Sequence, residues 1–376
     1  MSRCFSFVFL ILVAFFTGTS VFSDDDFVAA VQNDWARQEA TAGRAVDSAT
    51  ALEALGRRAE ALLERLVDEE FIGESEANAF RVEIDAALAG DLAALSADDT
   101  RARYYKLRWT LRDAAFNNPL VGGIPITFLK ANRYVWQLIH EYSSYYYSHT
   151  NMVGGELLLL KNPGRSFEVE SLSAGKFPRG IFATPSLSFD GKTLYFAFAD
   201  FSNVVPEGAP LKNLGDIIER GRDAEIDEYL ARTDGKYHLY KMDLASGAVK
   251  QLTDGPDDDF DPAELPDGDV VFVSTRRGGF ARCTGGYEPV ETATLHKLRK
   301  NGDVQCLSWH ETNEWNPSVL SDGRIVYSRW DYVDREAARF MNLWTTNPDG
   351  TGASALFGNY TEEVVAALQA KEIPGS

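Results

Sequence analysis

The chain has 376 residues, 45% hydrophobic and 12% aromatic, which is ample material for a globular core, and a formal net charge of −19. So large an excess of carboxylates repels phosphate backbones and anionic lipid surfaces, excluding nucleic acid and such membranes as natural partners. Three cysteines with no Cys-x-x-Cys exclude a disulfide scaffold, a four-cysteine zinc site and a covalently attached c-type haem on this chain.

At the N-terminus, Arg3, the apolar run from Phe5 to Phe16, and Val21 and Ser23 read as a secretory leader over residues 1–23, with cleavage near Asp24. The run is too short to span a bilayer, which takes about 20 apolar residues, and no later segment qualifies. The expected location is therefore periplasmic or secreted. Cys4 would leave with the leader, and an oxidising compartment would permit Cys283 and Cys306 to pair.

Residues 24–117 carry a helical pattern. Leu52, Leu55, Ala59, Leu62 and Leu66 form one stripe, and after Gly73 a second follows with Phe80, Ile84, Leu88, Leu92 and Leu95. Ser96 and Asp99 resemble a capping pair for a third helix, with Tyr104, Leu107, Leu111 and Ala114 on its apolar side. The stripes predict a small helical domain or arm, with no catalytic constellation in it.

Asn118-Pro119 and Gly122-Gly123-Ile124-Pro125 end that pattern, and the period then changes to two. Ile126 to Leu129, Leu157 to Leu160 and Phe167 to Leu172 read as strands. A repeat follows: Pro185 precedes Asp190-Gly191, Pro262 precedes Asp267-Gly268, and Pro317 precedes Asp322-Gly323, each by five residues, with an apolar strand after it. Asp-Gly between apolar segments is a strong hairpin signal, because glycine readily takes positive φ. The prolines are expected at the first residue of a strand, where no ladder hydrogen bond is lost.

A second hairpin alternates with the first: Tyr237 to Leu244 turns at Ser246-Gly247, Thr294 to Arg299 at Asn301-Gly302, and Asn342 to Thr346 at Asp349-Gly350. Two hairpins per unit make a four-stranded blade. The expected fold is mainly β: an incomplete β-propeller over residues 118–376, preceded by the helical region, with a helical insertion about residues 203–235. Some three blades are visible where a propeller has about four to eight, and Ile373-Pro374-Gly375-Ser376 resembles the start of another.

Three motifs together resemble the middle propeller domain of the hydrazine synthase alpha subunit family, which shades into the broader TolB-like (PD40) repeats. They are Asp259-Phe260-Asp261-Pro262 with Ser274 to Gly279, His310 to Ser318, and Arg329-Trp330-Asp331-Tyr332-Val333-Asp334-Arg335. The resemblance runs from about Asn118 onward and implies a truncated or fragmentary member. Members carry haem on Cys-x-x-Cys-His, mostly beyond the propeller; its absence here removes hydrazine synthesis as an inference and predicts no haem on this chain. The resemblance also implies a zinc-facing cysteine at Cys283, with His310 and Asp331 as further candidate ligands. Rival readings of Cys283 are a disulfide with Cys306 or an unpaired thiol.

Other residues have blander readings beside the chemical ones. His310, Glu311, Glu314, Asp331 and Asp334 would bind a cation or act as acid and base if they converge, but such loop residues more often satisfy backbone groups of neighbouring turns. Trp315 and Trp330 read as packing residues. Tyr142 to Tyr147, flanked by His140 and His149, would line a stacking site or an interdomain surface. Asp257, Asp258 and Asp259 lack calcium-loop spacing and read as a solvated turn. With no Gly-x-Ser-x-Gly elbow, phosphate loop or His-Glu-x-x-His helix, no catalytic or cofactor-binding residue is assigned. The expected function is a binding or scaffold module whose partner is a protein or the remainder of a haem enzyme. The alternatives are a redox module completed by another chain and a metal-dependent lyase or hydrolase. Open propeller edges predict self-association.

Overall fold

Ser48 opens the longest described helix: its hydroxyl accepts the Ala51 amide at 3.2 Å, and Leu52, Leu55, Ala59, Leu63 and Leu66 then fall on a buried stripe. The computed structural model describes residues 24–120, 122–131, 154–202, 235–280, 291–331, 341–358, 361, 364 and 366–373. The leader, the 203–235 insertion apart from Gly235, Tyr142 to Tyr147, Cys283, Asp334 and the last three residues lie outside them. The chain divides into two compact units, Met1–Ile126 with Leu160–Glu170, and Thr127–Leu159 with Ser171–Ser376.

The first unit holds four helices, α1 (Asp24–Thr41), α2 (Ala49–Asp68), α3 (Glu74–Leu88) and α4 (Ala97–Ala115). Ser96 caps α4, accepting the Asp99 amide at 3.1 Å while its hydroxyl donates to the Asp99 carboxylate at 2.7 Å. Two differences from the sequence reading have local causes. Leu92 and Leu95 fall outside α3, because the chain leaves the helix at Ala89-Gly90, where Gly90 takes φ 83°, and makes only a single 3-10 turn over Leu92–Ala94. The helix α1 is additional. It is held by few large contacts instead of a stripe, chiefly Trp35 against Trp109 with ring centroids 4.8 Å apart. Beside these rings Glu39 is buried and accepts hydrogen bonds from Arg44 (2.7 Å), Arg58 and the Tyr104 hydroxyl (3.0 Å). Burial opposes that charge, but the two guanidinium groups outweigh it and hold the Glu39 carboxyl below its ordinary range.

Among the described residues there are fifteen short strands, in four sheets. A three-stranded sheet comprises β1 (Ile126–Lys130), β2 (Glu156–Leu160) and β3 (Val169–Ser171). Three four-stranded sheets follow. The first is β4 (Gly180–Leu187), β5 (Thr193–Asp200), β6 (Tyr237–Asp243) and β7 (Val249–Gln251). The second is β8 (Asp259–Glu264), β9 (Val270–Ser274), β10 (Thr294–Leu298) and β11 (Val304–Cys306). The third is β12 (Glu314–Val319), β13 (Ile325–Trp330), β14 (Met341–Thr346) and β15 (Ser354–Phe357). Each is an antiparallel meander in sequence order, the blade of a propeller. One core joins all three, with Phe260, Trp315, Tyr327 and Trp330 among its largest members; Trp315 stacks on Trp330 at 6.4 Å. No helix among the described residues is long and apolar enough to cross a membrane.

The prolines do not start strands. Pro185, Pro262 and Pro317 lie inside β4, β8 and β12, each at a register shift against the second strand. The residue before each proline takes a left-handed conformation: φ is 47° at Thr184, 53° at Asp261 and 50° at Asn316. The bulge there demands no ladder bond from the imino nitrogen, so proline is tolerated in a strand interior.

Candidate functional site

The three left-handed residues form a thread from blade to blade. The Asp261 amide donates to Thr184 Oγ1 at 2.9 Å, and the Asn316 amide and Nδ2 donate to Asp261 Oδ2 at 2.7 and 3.1 Å. The Gln369 amide donates to Asn316 Oδ1 at 3.3 Å, and Gln369 itself has φ 54°. Each first strand thus accepts, through the side chain of its strained residue, the backbone of the next first strand. Burial pushes the Asp261 carboxyl up to about 6, against the two hydrogen bonds from Asn316 that lower it.

The Asp-Gly hairpins and the hairpins of the third and fourth strands share one end of the blades. The opposite end collects the connections between second and third strands, and there the ionisable groups gather. Directly opposed residues of the first three strands read Phe182, Phe198, His238 in the first blade, Asp259, Ser274, Thr294 in the second, and Glu314, Arg329, Asn342 in the third. The same row thus changes from aromatic to ionic.

Asp259 is fully buried and takes Arg276 in a two-point pair, Nε to Oδ1 at 2.9 Å and Nη2 to Oδ2 at 2.7 Å, with Ser274 Oγ donating at 2.7 Å. Burial would raise its carboxyl, but His238, whose Nδ1 lies 3.9 Å away, and the hydrogen bonds and charge of Arg276 hold it below its ordinary value. Asp258 accepts the Tyr237 amide at 2.9 Å and Lys236 Nζ at 3.1 Å, and Lys236 also reaches Glu291 at 3.0 Å. Asp258 and Asp259 therefore belong to the buried framework and not to a solvated turn; the reason is that the end of a first strand needs acceptors for the neighbouring blade's amides.

Glu314 is the counterpart of Asp259 and has a different environment. Its Oε2 accepts the Leu295 amide at 3.0 Å and its Oε1 the Ser308 hydroxyl at 2.7 Å. Both donors are neutral, and burial pushes the carboxyl up to about 7. Burial likewise raises the Cys306 thiol, whose Sγ donates to the Ser308 carbonyl at 3.1 Å.

Of the candidate metal ligands, the structure brings His310 and Asp331 together, Nε2 to Oδ1 at 3.8 Å. Each is already engaged. His310 Nε2 lies 2.9 Å from the Trp330 carbonyl and 2.6 Å from Thr312 Oγ1, and Asp331 Oδ1 accepts Arg329 Nε at 3.0 Å. Burial, then the Arg329 charge, holds the His310 imidazole below its ordinary value. Arg329 also lies over the Trp344 ring at 4.1 Å. Among the described residues no group of three or more His, Cys, Asp or Glu side chains is placed to hold a metal ion, and Cys283 lies outside them. Two large side chains at this end face solvent, Trp309 at 75% exposure and Phe280 at 60%.

No family model and no curated protein matches this sequence. Solved structures similar to it include a TolB of Agrobacterium tumefaciens, at 18% identity over 54% of this chain and 56% of that one, TM-score 0.34. Hydrazine synthase of Kuenenia stuttgartiensis is similar at 13% identity over 62% of this chain and 31% of that one, TM-score 0.41. An oligogalacturonate lyase in complex with manganese is similar at 15% identity over 54% and 47%, TM-score 0.36. The chain thus matches between about a third and just over half of each of these proteins. The fold assignment rests on the strand order and registers described above.

Proposed function

We propose that this chain is an exported binding module of the hydrazine synthase alpha middle-domain type, without catalysis of its own, that presents the loop end of its blades to a protein partner, including the remainder of a haem enzyme. The supporting observation is the division of labour at that end. Beneath it the carboxylates of Asp258, Asp259, Glu314 and Asp331 are spent on Lys236, on Arg276, on a backbone amide and a hydroxyl, and on Arg329, while Trp309 and Phe280 stand exposed. Exposed aromatic side chains over a rigid polar base are the residue types that anchor protein interfaces. A photo-crosslinking amino acid at Trp309, with a control at Asn347 in the β14–β15 hairpin, tests this in the organism that makes the protein. The expected result is one discrete protein adduct from position 309 and none from 347. Equal labelling at both positions, or none at 309, overturns the reading.

The 3.8 Å approach of His310 and Asp331 favours a second reading, a zinc site completed by Cys283. Thiolate, imidazole and carboxylate are zinc ligands, but the described arrangement does not fit the ion, since His310 Nε2 already has two oxygen neighbours within 3 Å. Metal analysis of the purified chain separates the readings: one zinc per chain, lost in Cys283→Ser, supports the site, and absence of zinc from both leaves the binding module.

A further inference from the structure

Among the described residues, the three-stranded sheet is a blade without its first strand. The Leu172 amide donates to the Leu157 carbonyl at 2.8 Å, as Leu252 does to Leu239 at 2.7 Å and Leu307 to Leu295 at 2.9 Å in the complete blades. That equivalence makes β2 a third strand and β3 a fourth, and therefore β1 a second strand. In complete blades the second strand is interior: β5, β9 and β13 are buried along nearly their whole length. The strand β1 instead lies at the sheet edge and alternates between exposed and half-buried, with Ile126 at 43% and Phe128 at 36% exposure. The described residues just before β1 do not supply the missing strand, because α4 runs to Ala115 and the chain then closes a turn in which the Gly122 amide donates to the Asn118 carbonyl at 2.8 Å.

Segment 366–369 is the converse, placed as a first strand with no further strand of its blade among the described residues. The Ala367 amide donates to the Met341 carbonyl at 2.8 Å, as the Glu314 amide does to Ala293 at 2.9 Å. Ala366 bridges Met341 in parallel, and Gln369 continues the left-handed thread through Asn316. Leu368 packs against the shared core. Among the described residues, no second strand pairs with its other edge, and it does not pair with β1.

We propose that the β1 edge is a strand-docking site whose occupant is segment 366–369 of a second copy of this chain. The segment already has the backbone geometry of a first strand and stays seated on its own third blade while its free edge pairs with the partner copy's β1. The exchange completes one blade, and its reciprocal completes the other. A twofold arrangement of this kind is isologous and closes both edges, which the described residues of a single chain leave open.

The test is the mass of the full mature chain in solution, together with amide hydrogen exchange. A mass of two chains is expected, with amides of residues 126–130 exchanging about tenfold more slowly in the dimer than in diluted, monomeric protein. Thr127→Pro and Phe128→Pro, made separately, sample amides on both edges of β1, and at least one is expected to leave a folded monomer. Phe128→Lys places a charge on the exposed face without removing a backbone donor and is expected to weaken the dimer in the same direction. Circular dichroism of each variant confirms that it is folded. A monomeric wild type, a dimer that survives all three substitutions, or a monomer with β1 already protected, which means closure within one chain, overturns the proposal.

Discussion

Two buried carboxylates, one in each unit, respond oppositely to the same loss of water. In the helical unit, Glu39 sits between Arg44 and Arg58 and is held ionised. In the propeller, Glu314 accepts from an amide and a hydroxyl, both neutral donors, and is pushed up to about 7 by burial. Asp259 shows that the cause is the donor and not the fold, because it occupies the position equivalent to Glu314, meets Arg276, and is held low. Neutral donors satisfy a buried carboxylate's lone pairs without compensating its charge; a guanidinium does both.

The largest expected effect comes from removing that compensation. Arg276→Met leaves the Asp259 charge buried without its ion-pair partner, and a loss of about 3–5 kcal/mol from the propeller unit is expected in urea denaturation. Hydrogen exchange resolved to β8 and β9 locates the loss; an unchanged midpoint would break the distinction between charged and neutral donors.

Glu314→Gln works in the opposite direction. A folded-state pKa raised from 4.5 to about 7 means the native propeller binds the proton more tightly than the unfolded chain. Stability from this group is therefore full below pH 4.5 and is lost as pH rises through 7. The glutamine variant should match wild type at low pH and exceed it by about 3 kcal/mol at pH 8. Asp261, raised from 3.8 to about 6, adds the same sign between those values, so the propeller is expected to gain stability when moved from pH 8 to pH 5. Glu39 has the reverse sign: its stabilisation is present above 4.5 and is lost as pH falls through its lower folded value. Amide exchange at pH 8, 5 and 3.5 (corrected for intrinsic rates) sharpens the comparison by reporting each unit separately.

Substitutions in the inter-blade thread should have smaller effects. Asn316→Ala removes an amide donor to Asp261 and the acceptor of the Gln369 amide while keeping a left-handed residue, and a cost of about 1–2 kcal/mol is expected. Thr184→Asn places a residue that tolerates left-handed geometry where a β-branched one now sits and should be neutral or stabilising, by up to about 1 kcal/mol. At the bottom of the scale, Arg65→Ala breaks only the exposed pair with Glu69 and should move the midpoint by less than about 0.5 kcal/mol.

The blades were legible because Asp-Gly hairpins depend on two adjacent residues and little else, and α4 because its cap is three residues long. What escaped was set by longer-range partners. The carboxylates at 258 and 259 look like any surface acidic run until Lys236 and Arg276 fold onto them. The strained residue before each proline was visible as Thr, Asp or Asn, yet its role lies in the next repeat, some 53 to 77 residues away. After Gln369 stands Ala370, where the other blades have proline, so the repeat signal pointed instead to Ile373-Pro374. Of the candidate ligands, His310 and Asp331 converge because both flank the same end of the third blade.

The thread through Thr184, Asp261, Asn316 and Gln369 also bears on how such a chain changes over generations. Three successive seams use the same device, a short polar side chain catching the amide at the corresponding point of the next repeat. A gene segment copied or deleted between two such points brings a blade in or out with its fastening intact on both sides, whatever the rest of its sequence. Blade number is then free to drift by unequal crossing-over, while the chemistry at the opposite end, where aromatic and ionic rows already differ, diverges independently.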